Sequence, residues 1–465
     1  MVDLAENKTP REIRRSIFNL AWPAVLRMFL QSIVGVIDVI MIGSLGATAI
    51  AAVDMSNRLI MVIIGAMTAL TIGATALVAQ SIGAKDKKKA NKIMANSLVT
   101  GVFLAIILAI LGVVFSSDFL KAMMVLMEEV DNNVLTQGSI YLKIVFASMV
   151  FGLPMMIINA VLQGIGDMKT PLYIMLITNV CNTVFNYLLI FGIGVFPELG
   201  VAGAALGTAF SRVVGTIIGF SILVKGKTDM KLSLDKATLK LERDIIKDIF
   251  GIGVPAAIEQ LVRQSSQIVY TLLVAGLGTI TIAANAIVMN AQMVPIMIGF
   301  GFSTAATTLV GQSLGADKKD LAKKYGRETA YLSMLLMIVI SIPMFIWVDA
   351  IIGLFTSNPE VITLVKPVLK IMIFIQPIFS IMMVLTGALR GAGDTKWTMY
   401  IAVIGNWMTR LALSLVLGYS LGYGLLGFWL AMGIDVLVRT GLIIWRYSSD
   451  RWQDLQRVKA NRKVA

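Results

Sequence analysis

Histidine is absent from the 465 residues, and cysteine occurs once, at Cys181. The first absence excludes imidazole acid–base chemistry and imidazole metal ligation. The second excludes an internal disulfide and a thiolate metal cluster. Charge is scarce as well: 14% of the chain is Asp, Glu, Lys or Arg, against roughly 25% in soluble domains. No G-x-x-x-x-G-K-[ST] phosphate loop occurs, so ATP is not the energy source within this chain. No DDxxD-like aspartate cluster stands at the end of an apolar run, which argues against a membrane prenyltransferase. What remains is apolar: 57% hydrophobic residues and a mean hydropathy of +0.83. Since about twenty apolar residues cross a bilayer as one helix, the composition describes an all-α polytopic membrane protein. Little chain is left for a separate soluble domain.

Hydropathy predicts twelve spans, near Ile17–Ile42, Ile50–Val78, Ala95–Phe115, Tyr141–Leu162, Pro171–Ile193, Val201–Val224, Ile249–Ala275, Ile280–Val310, Ala330–Val348, Val361–Leu385, Trp397–Leu417 and Tyr423–Ile444. The polar, basic N-terminus runs into the first span with no small-residue cleavage site, so it is expected to be retained. The net charge of +13 is unevenly placed. Lys8, Arg11, Arg14 and Arg15 precede span 1, and Lys-rich segments follow spans 2, 6 and 8. Lys169, Arg390 and Lys396 follow spans 4 and 10. The tail adds Arg446, Arg451, Arg457, Lys459, Arg462 and Lys463. All fall on one side of a twelve-span chain, whereas the opposite loops are short or acidic, as at Asp118, Glu128, Glu129 and Asp131. The positive-inside rule then places both termini in the cytoplasm, in a cell (inner or plasma) membrane. It also accounts for the basic balance without nucleic acid.

The chain repeats itself. "WPAVLRMFLQSIVGVIDVIMIGSLGATAIAA" is echoed by "VPAAIEQLVRQSSQIVYTLLVAGLGTITIAA", pairing Pro23 with Pro255 and Gly46 with Gly278. "LVAQSIGAKDKKKA" returns as "LVGQSLGADKKDLA", pairing Gly83 with Gly315 at the same displacement of 232. "LQGIGDMKTP" returns as "LRGAGDTKWT", pairing Gly164 with Gly391 and Asp167 with Asp394, displaced by 227. Three motifs in one order define two six-span lobes, residues 1–224 and 249–465, joined by a Lys-rich linker at 225–248. An even number of spans per repeat implies a pseudo-twofold axis along the membrane normal. It also implies a substrate site at the repeat interface, as in secondary transporters.

Ionisable residues inside spans are functional candidates, because each costs about 2.5–3.5 kcal/mol at the bilayer centre. Span 1 carries Arg27 and Asp38. Asp38 either couples a cation or is neutralised by a base such as Arg58. Span 7 carries Glu259 and Arg263. Glu259 either holds a cationic substrate or pairs with Arg27 or Arg263. Asn182 and Asn186 share one face of span 5, and Thr208 offers a hydroxyl on span 6. Arg410 and Asp435 are expected to form a buried pair. The 28 methionines suit lipid-facing and core positions, and a Met-lined cavity would suit varied ligands.

These residues resemble the multidrug and toxic compound extrusion (MATE) family of cation-coupled antiporters over almost the whole chain. The matching stretches include "IDVIMIGSLGATAIAAV", "AQSIGAKDKKKA", "LQGIGDMKTP", "NTVFNYLLIFGIGVFPELGVAGAALGT", "GVPAAIEQLV", "LVGQSLGADKK" and "LRGAGDT". The resemblance implies a cation-coupling cluster of Asp38, Asn182, Asn186 and Thr208. It implies H⁺ or Na⁺ as coupling ion, with no other cofactor and no metal beyond Na⁺ at Asp38. Some proton-coupled members have an aspartate where this chain has Asn186, which leaves Asp38 the main titratable group of that lobe. Some sodium-coupled members have carboxylates in spans 7 and 10. Here span 10 has none between Ile371 and Leu389, and Glu259 stands about one turn early. The expected activity is efflux of organic, cationic and amphipathic compounds by a monomer in the bilayer. Its rivals are a flippase of a lipid-linked precursor and an integral-membrane enzyme, and no catalytic motif supports the second.

Overall fold

The structure is a computed structural model that describes residues 9–124, 131–226, 231–233 and 235–458. Of the charges used above for orientation, Lys8, Glu128, Glu129, Lys227, Lys459, Arg462 and Lys463 lie outside the described residues. Every regular element among the described residues is helical. The first six long helices are α1 (Pro10–Gly43), α2 (Ala47–Gly83), α3 (Lys87–Met124), α4 (Asn132–Ile165), α5 (Lys169–Phe191) and α6 (Gly200–Lys225). The second six are α7 (Arg243–Ala275), α8 (Thr279–Ala291 continuing as Met293–Gly315), α9 (Lys319–Ile346), α10 (Pro359–Ala392), α11 (Thr395–Ser420) and α12 (Gly424–Ser448). They coincide with the twelve predicted spans.

Eleven of these helical segments are long and apolar enough to cross a membrane among the described residues. The exception is α7, where Arg243, Asp244, Lys247, Asp248, Glu259 and Arg263 dilute an otherwise apolar run of 33 residues. Large apolar side chains face outward along the spans, among them Ile40 (67% exposed), Phe103 and Leu272. Such a surface is stable against hydrocarbon rather than water, so the protein is a multi-pass membrane protein.

Among the described residues, two of the twelve helices depart from the regular ladder. Span 8 was predicted continuous, yet α8 breaks at Gln292. Pro295, three residues later, has no N–H for the carbonyl of Ala291. In α11, the stretches Ile404–Leu411 and Leu415–Ser420 widen into π-helix. The backbone carbonyl of Asn406 there accepts from the Ser266 hydroxyl at 3.0 Å, a side chain inserted into the ladder as such distortions require.

The chain divides into two compact units. One holds Leu26–Val78 and Asp86–Phe250; the other holds the described part of Val2–Val25 together with Ala79–Lys85 and Gly251–Ala465. In the first, α4 lies against α3 and α6, and α5 against α6, around Leu142, Val145, Phe146 and Ile190. The linker is tied to α3: Lys92 Nζ meets Glu242 Oε1 at 2.5 Å, and Glu242 N–H donates to Asn96 Oδ1 at 2.7 Å. In the second, α10 packs on α8, α9 and α12, around Tyr270, Phe428 and Trp429. Burial raises the carboxyl of Asp394, between α10 and α11, above its ordinary value, while the Arg446 guanidinium opposes that shift.

The repeated glycines of the α2 and α8 ends form a reciprocal crossing inside the second unit. A Cβ on Gly83 would strike the backbone carbonyl of Gln312, and one on Gly315 that of Gln80. Gly83→Ala is expected to cost about 3 kcal/mol, by overpacking against rigid backbone. Gly35→Ala on α1, where a Cβ meets nothing within 4 Å, should be neutral or slightly stabilising. The yield of monodisperse protein and its heat-inactivation midpoint, measured side by side, check the pair.

Candidate functional site

The first unit encloses a cavity of about 580 Å³ walled by all six of its helices, α3 contributing only Leu108. On α1, Arg27, Gln31 and Asp38 all line it. At 3.6 residues per turn, positions eleven apart return to one face, and 1.5 Å per residue puts about 16 Å of helix between them. The cavity therefore runs along α1 with a guanidinium near one end and a carboxylate near the other.

At the carboxylate end, side chains from three helices form a directed chain. Asn186 Nδ2 on α5 donates to Asp38 Oδ1 at 2.8 Å and to Asn182 Oδ1 at 3.3 Å. Asn182 Nδ2 donates to Thr208 Oγ1 on α6 at 3.3 Å. Four-residue spacing on α5 makes this possible, since it stacks both amides on one face. Gly207 holds the amide in register: a Cβ there would overlap Asn186 Oδ1. That oxygen is buried and accepts no hydrogen bond among the described residues. Among the described residues Asp38 makes no ion pair. Arg58, weighed above as its neutraliser, bonds Asp54 on its own helix at 3.0 Å, with both side chains exposed.

The other walls are apolar and polarisable, with Met67, Met149, Met155, Met156 and Met175. Arg212 on α6, one turn beyond Thr208, also lines the cavity. Its Nη1 donates to the Val145 carbonyl at 3.1 Å and to Ser148 Oγ at 2.7 Å. With the Gln163 amide turned so that its oxygen faces α1, that oxygen accepts from both terminal nitrogens of Arg27, at 2.7 and 3.1 Å. Such amide orientations are assigned from the hydrogen-bond network.

The second unit's counterpart is a cleft of about 50 Å³ lined by Glu259, Arg263, Arg390, Thr398 and Arg439. Its carboxylate is occupied. Glu259 Oε1 accepts from Arg390 Nη2 at 2.7 Å and Oε2 from Thr398 Oγ1 at 2.8 Å. This corrects one of the two alternatives weighed for Glu259, that it pairs with Arg27 or Arg263. Arg390, read from the sequence as a loop base, lies within α10 and reaches α7. Arg263 turns to the Gln260 side-chain oxygen and to the face of Phe300, 5.8 Å from the ring centroid.

The predicted pairing of Arg410 with Asp435 is also corrected. Asp435 accepts from Arg439, one turn away on α12, through Nε at 2.7 Å and through Nη2. Arg410 donates to Gln267 Oε1 at 2.9 Å and lies 4.2 Å from the Tyr270 ring centroid. The structure thus brings Asp38, Asn182, Asn186 and Thr208 into one cluster and places Glu259, Arg263, Arg410 and Asp435 in separate contacts of the other unit. Sequence reading passed over Arg212 and Arg439, although both are charges inside predicted spans.

A MatE family model matches residues 23–188 and again 255–416, one match per repeat. A protein of Thermotoga maritima named as a probable multidrug resistance protein NorM is 31% identical over 97% of this chain and 96% of its own length. A Bacillus subtilis transporter designated YisQ is 28% identical over 96% of each chain. Among solved structures, an outward-facing multidrug resistance MATE family transporter superposes with a TM-score of 0.85. It shares 20% identity, over 96% of this chain and 97% of that one.

Proposed function

The chain belongs to the MatE family, and from that premise we propose that it is a secondary active multidrug efflux antiporter. It exports amphipathic organic compounds in exchange for H⁺ or Na⁺, by alternating access between its two lobes, and is not an enzyme. Relatives named for multidrug resistance support the efflux reading. The observation that carries the antiport reading is Asp38: a carboxylate inside a membrane span, facing a ligand-sized cavity and bound to a neutral amide rather than to a base. A carboxylate that must change occupancy in each cycle cannot sit in a permanent ion pair.

The steps follow from the hydrogen bonds. With ion and drug both absent, Asn186 donates to the charged carboxylate. A proton or Na⁺ arriving from outside neutralises Asp38, so the Asn186 amide loses its charge-assisted acceptor. The Asn186–Asn182–Thr208 chain then repartitions, shifting α1 against α5 and α6 and releasing the ligand outward. The ion-loaded carrier returns, discharges inward and takes up new ligand. The cationic segments after α2, α6 and α8 support cytoplasmic termini, and hence this direction.

The deciding measurement is dye efflux from proteoliposomes of the full chain, with a pH gradient and a Na⁺ gradient imposed separately. Efflux driven by one gradient and abolished by collapsing it is expected, and it identifies the ion. No efflux under either gradient overturns the proposal.

A further inference from the structure

The two repeats end alike. After α6, the linker returns to the start of α3, where Glu242 meets Lys92 and its N–H donates to Asn96 Oδ1. After α12, the tail returns to the start of α9. There Lys319 Nζ meets Asp454 Oδ1 at 2.5 Å and Lys323 Nζ meets Asp450 Oδ2 at 2.8 Å. Both tail pairs are exposed, and exposed pairs contribute little. The tail's anchor is Trp452, fully buried and stacked on Tyr447 with 4.8 Å between ring centroids. Its Nε1 donates to the Tyr447 carbonyl at 2.7 Å. Past this anchor the tail continues to a residue of the first repeat. The backbone N–H groups of Arg457 and Val458 both donate to Gln80 Oε1, at 2.9 and 3.2 Å. Gln80 Nε2 donates in turn to the Gly391 carbonyl on α10 at 3.0 Å. Gln80 is fully buried, and its own backbone carbonyl is the one a Cβ on Gly315 would strike. Although α2 is part of the first repeat, its end at Ala79–Lys85 packs with the second unit. A strap that only covered the start of α9 would end at Asp454.

We propose that the C-terminal tail is a conformational latch: the Arg457 and Val458 amides hold the last turn of α2 in the second unit and so keep the cytoplasmic side closed. The proposal rests on the alternating-access reading, in which that turn and the second unit part when the cytoplasmic side opens. Two neutral hydrogen bonds suffice to bias such an equilibrium roughly tenfold and are too weak to lock it. A carrier that opens in every cycle needs a bond of that strength. Gln80 is the keeper of the latch, because its one side chain joins the tail to α10 across the end of α2.

The test reads opening as the distance between nitroxide labels at Lys87→Cys and Asp320→Cys, both exposed positions. Double electron–electron resonance is recorded on the full chain with Cys181→Ser, in phosphatidylcholine nanodiscs and without a gradient. In this parent, Arg457→Pro with Val458→Pro removes both amide donors, whereas Arg457→Ala with Val458→Ala keeps them. Gln80→Leu removes the acceptor at similar volume. The ratio of long to short distances is expected to rise roughly tenfold in the Pro pair and in Gln80→Leu, and to stay at the parent's value in the Ala pair. An unchanged ratio in the Pro pair overturns the proposal, and so does an equal rise in the Ala pair, since side chains rather than amides would then hold the tail. If the Pro pair does not fold, an unchanged ratio in Gln80→Leu overturns it. Gradient-driven dye efflux with an unchanged ratio sinks the latch alone. A raised ratio with no efflux under either gradient sinks the antiport reading alone.

Discussion

Proteoliposomes carrying Asp38→Asn are expected to contain as much folded protein as wild type, bind dye, and release it under either gradient no faster than protein-free liposomes. The substitution is chosen for what it preserves. An asparagine carbonyl occupies the place of Asp38 Oδ1 and can accept from Asn186 Nδ2, a contact of 2.8 Å in the native cluster. What disappears is the group whose charge changes when an ion arrives. With no charged state to leave, the cluster has no second arrangement for a gradient to select, and a ligand with no differential affinity for two states shifts nothing. Asn186→Ala should do less, since it removes the reporting amide and leaves the carboxylate. Gradient-driven export that survives Asp38→Asn would show that coupling resides elsewhere.

The second large effect is on stability. Asp435 is fully buried, and among the described residues its one side-chain partner at ion-pair distance is Arg439, itself 11% exposed. Asp435→Ala leaves that guanidinium without a counter-charge, an arrangement that costs about 3–5 kcal/mol in buried pairs. The heat-inactivation midpoint of purified protein should fall by many degrees. Combining it with Arg439→Met should restore much of the loss, because an apolar pair replaces an ionic one. Combining it with Arg410→Met should restore nothing, since Arg410 is held by Gln267 and the Tyr270 face. A rescue by Arg410→Met instead would reinstate the pairing read from the sequence alone. The Glu259–Arg390 pair is more open, at 13% and 18% exposed, and its disruption should cost less.

The fold was legible because its determinants are local or periodic. Apolar runs of bilayer length mark spans, and Pro23 with Pro255 or Gly83 with Gly315 mark a doubled unit. What escaped was the departure from the ideal helix. Pro295 lies inside an unbroken apolar run, so hydropathy bridges the break at Gln292 that its missing N–H produces. The π turns of α11 leave no compositional trace, and the first of them carries a contact with Ser266 on another helix that no local pattern encodes. Site membership was partly legible for a similar reason. Asn182 and Asn186 are tied by helical spacing, so their shared face is a property of the sequence. Charge partners are not, since long side chains choose among neighbours brought together by packing. Glu259 found Arg390, 131 residues away, and Asp435 found the arginine one turn along its own helix. Arg212 needed no structure to be noticed, only the same test that singled out Asp38.

The crossing of Gly83 with Gly315 has a consequence for how the doubled chain can change. Each glycine faces the carbonyl that lies one turn before the other, at Gln312 and Gln80, so one narrow gap is enforced twice. A side chain at either position must widen that gap, and once it is widened the second glycine guards nothing. The two substitutions are therefore strongly epistatic: the double variant loses little more than the worse single one. A lineage that has lost one of the pair is free to lose the other, so the two glycines persist or vanish together.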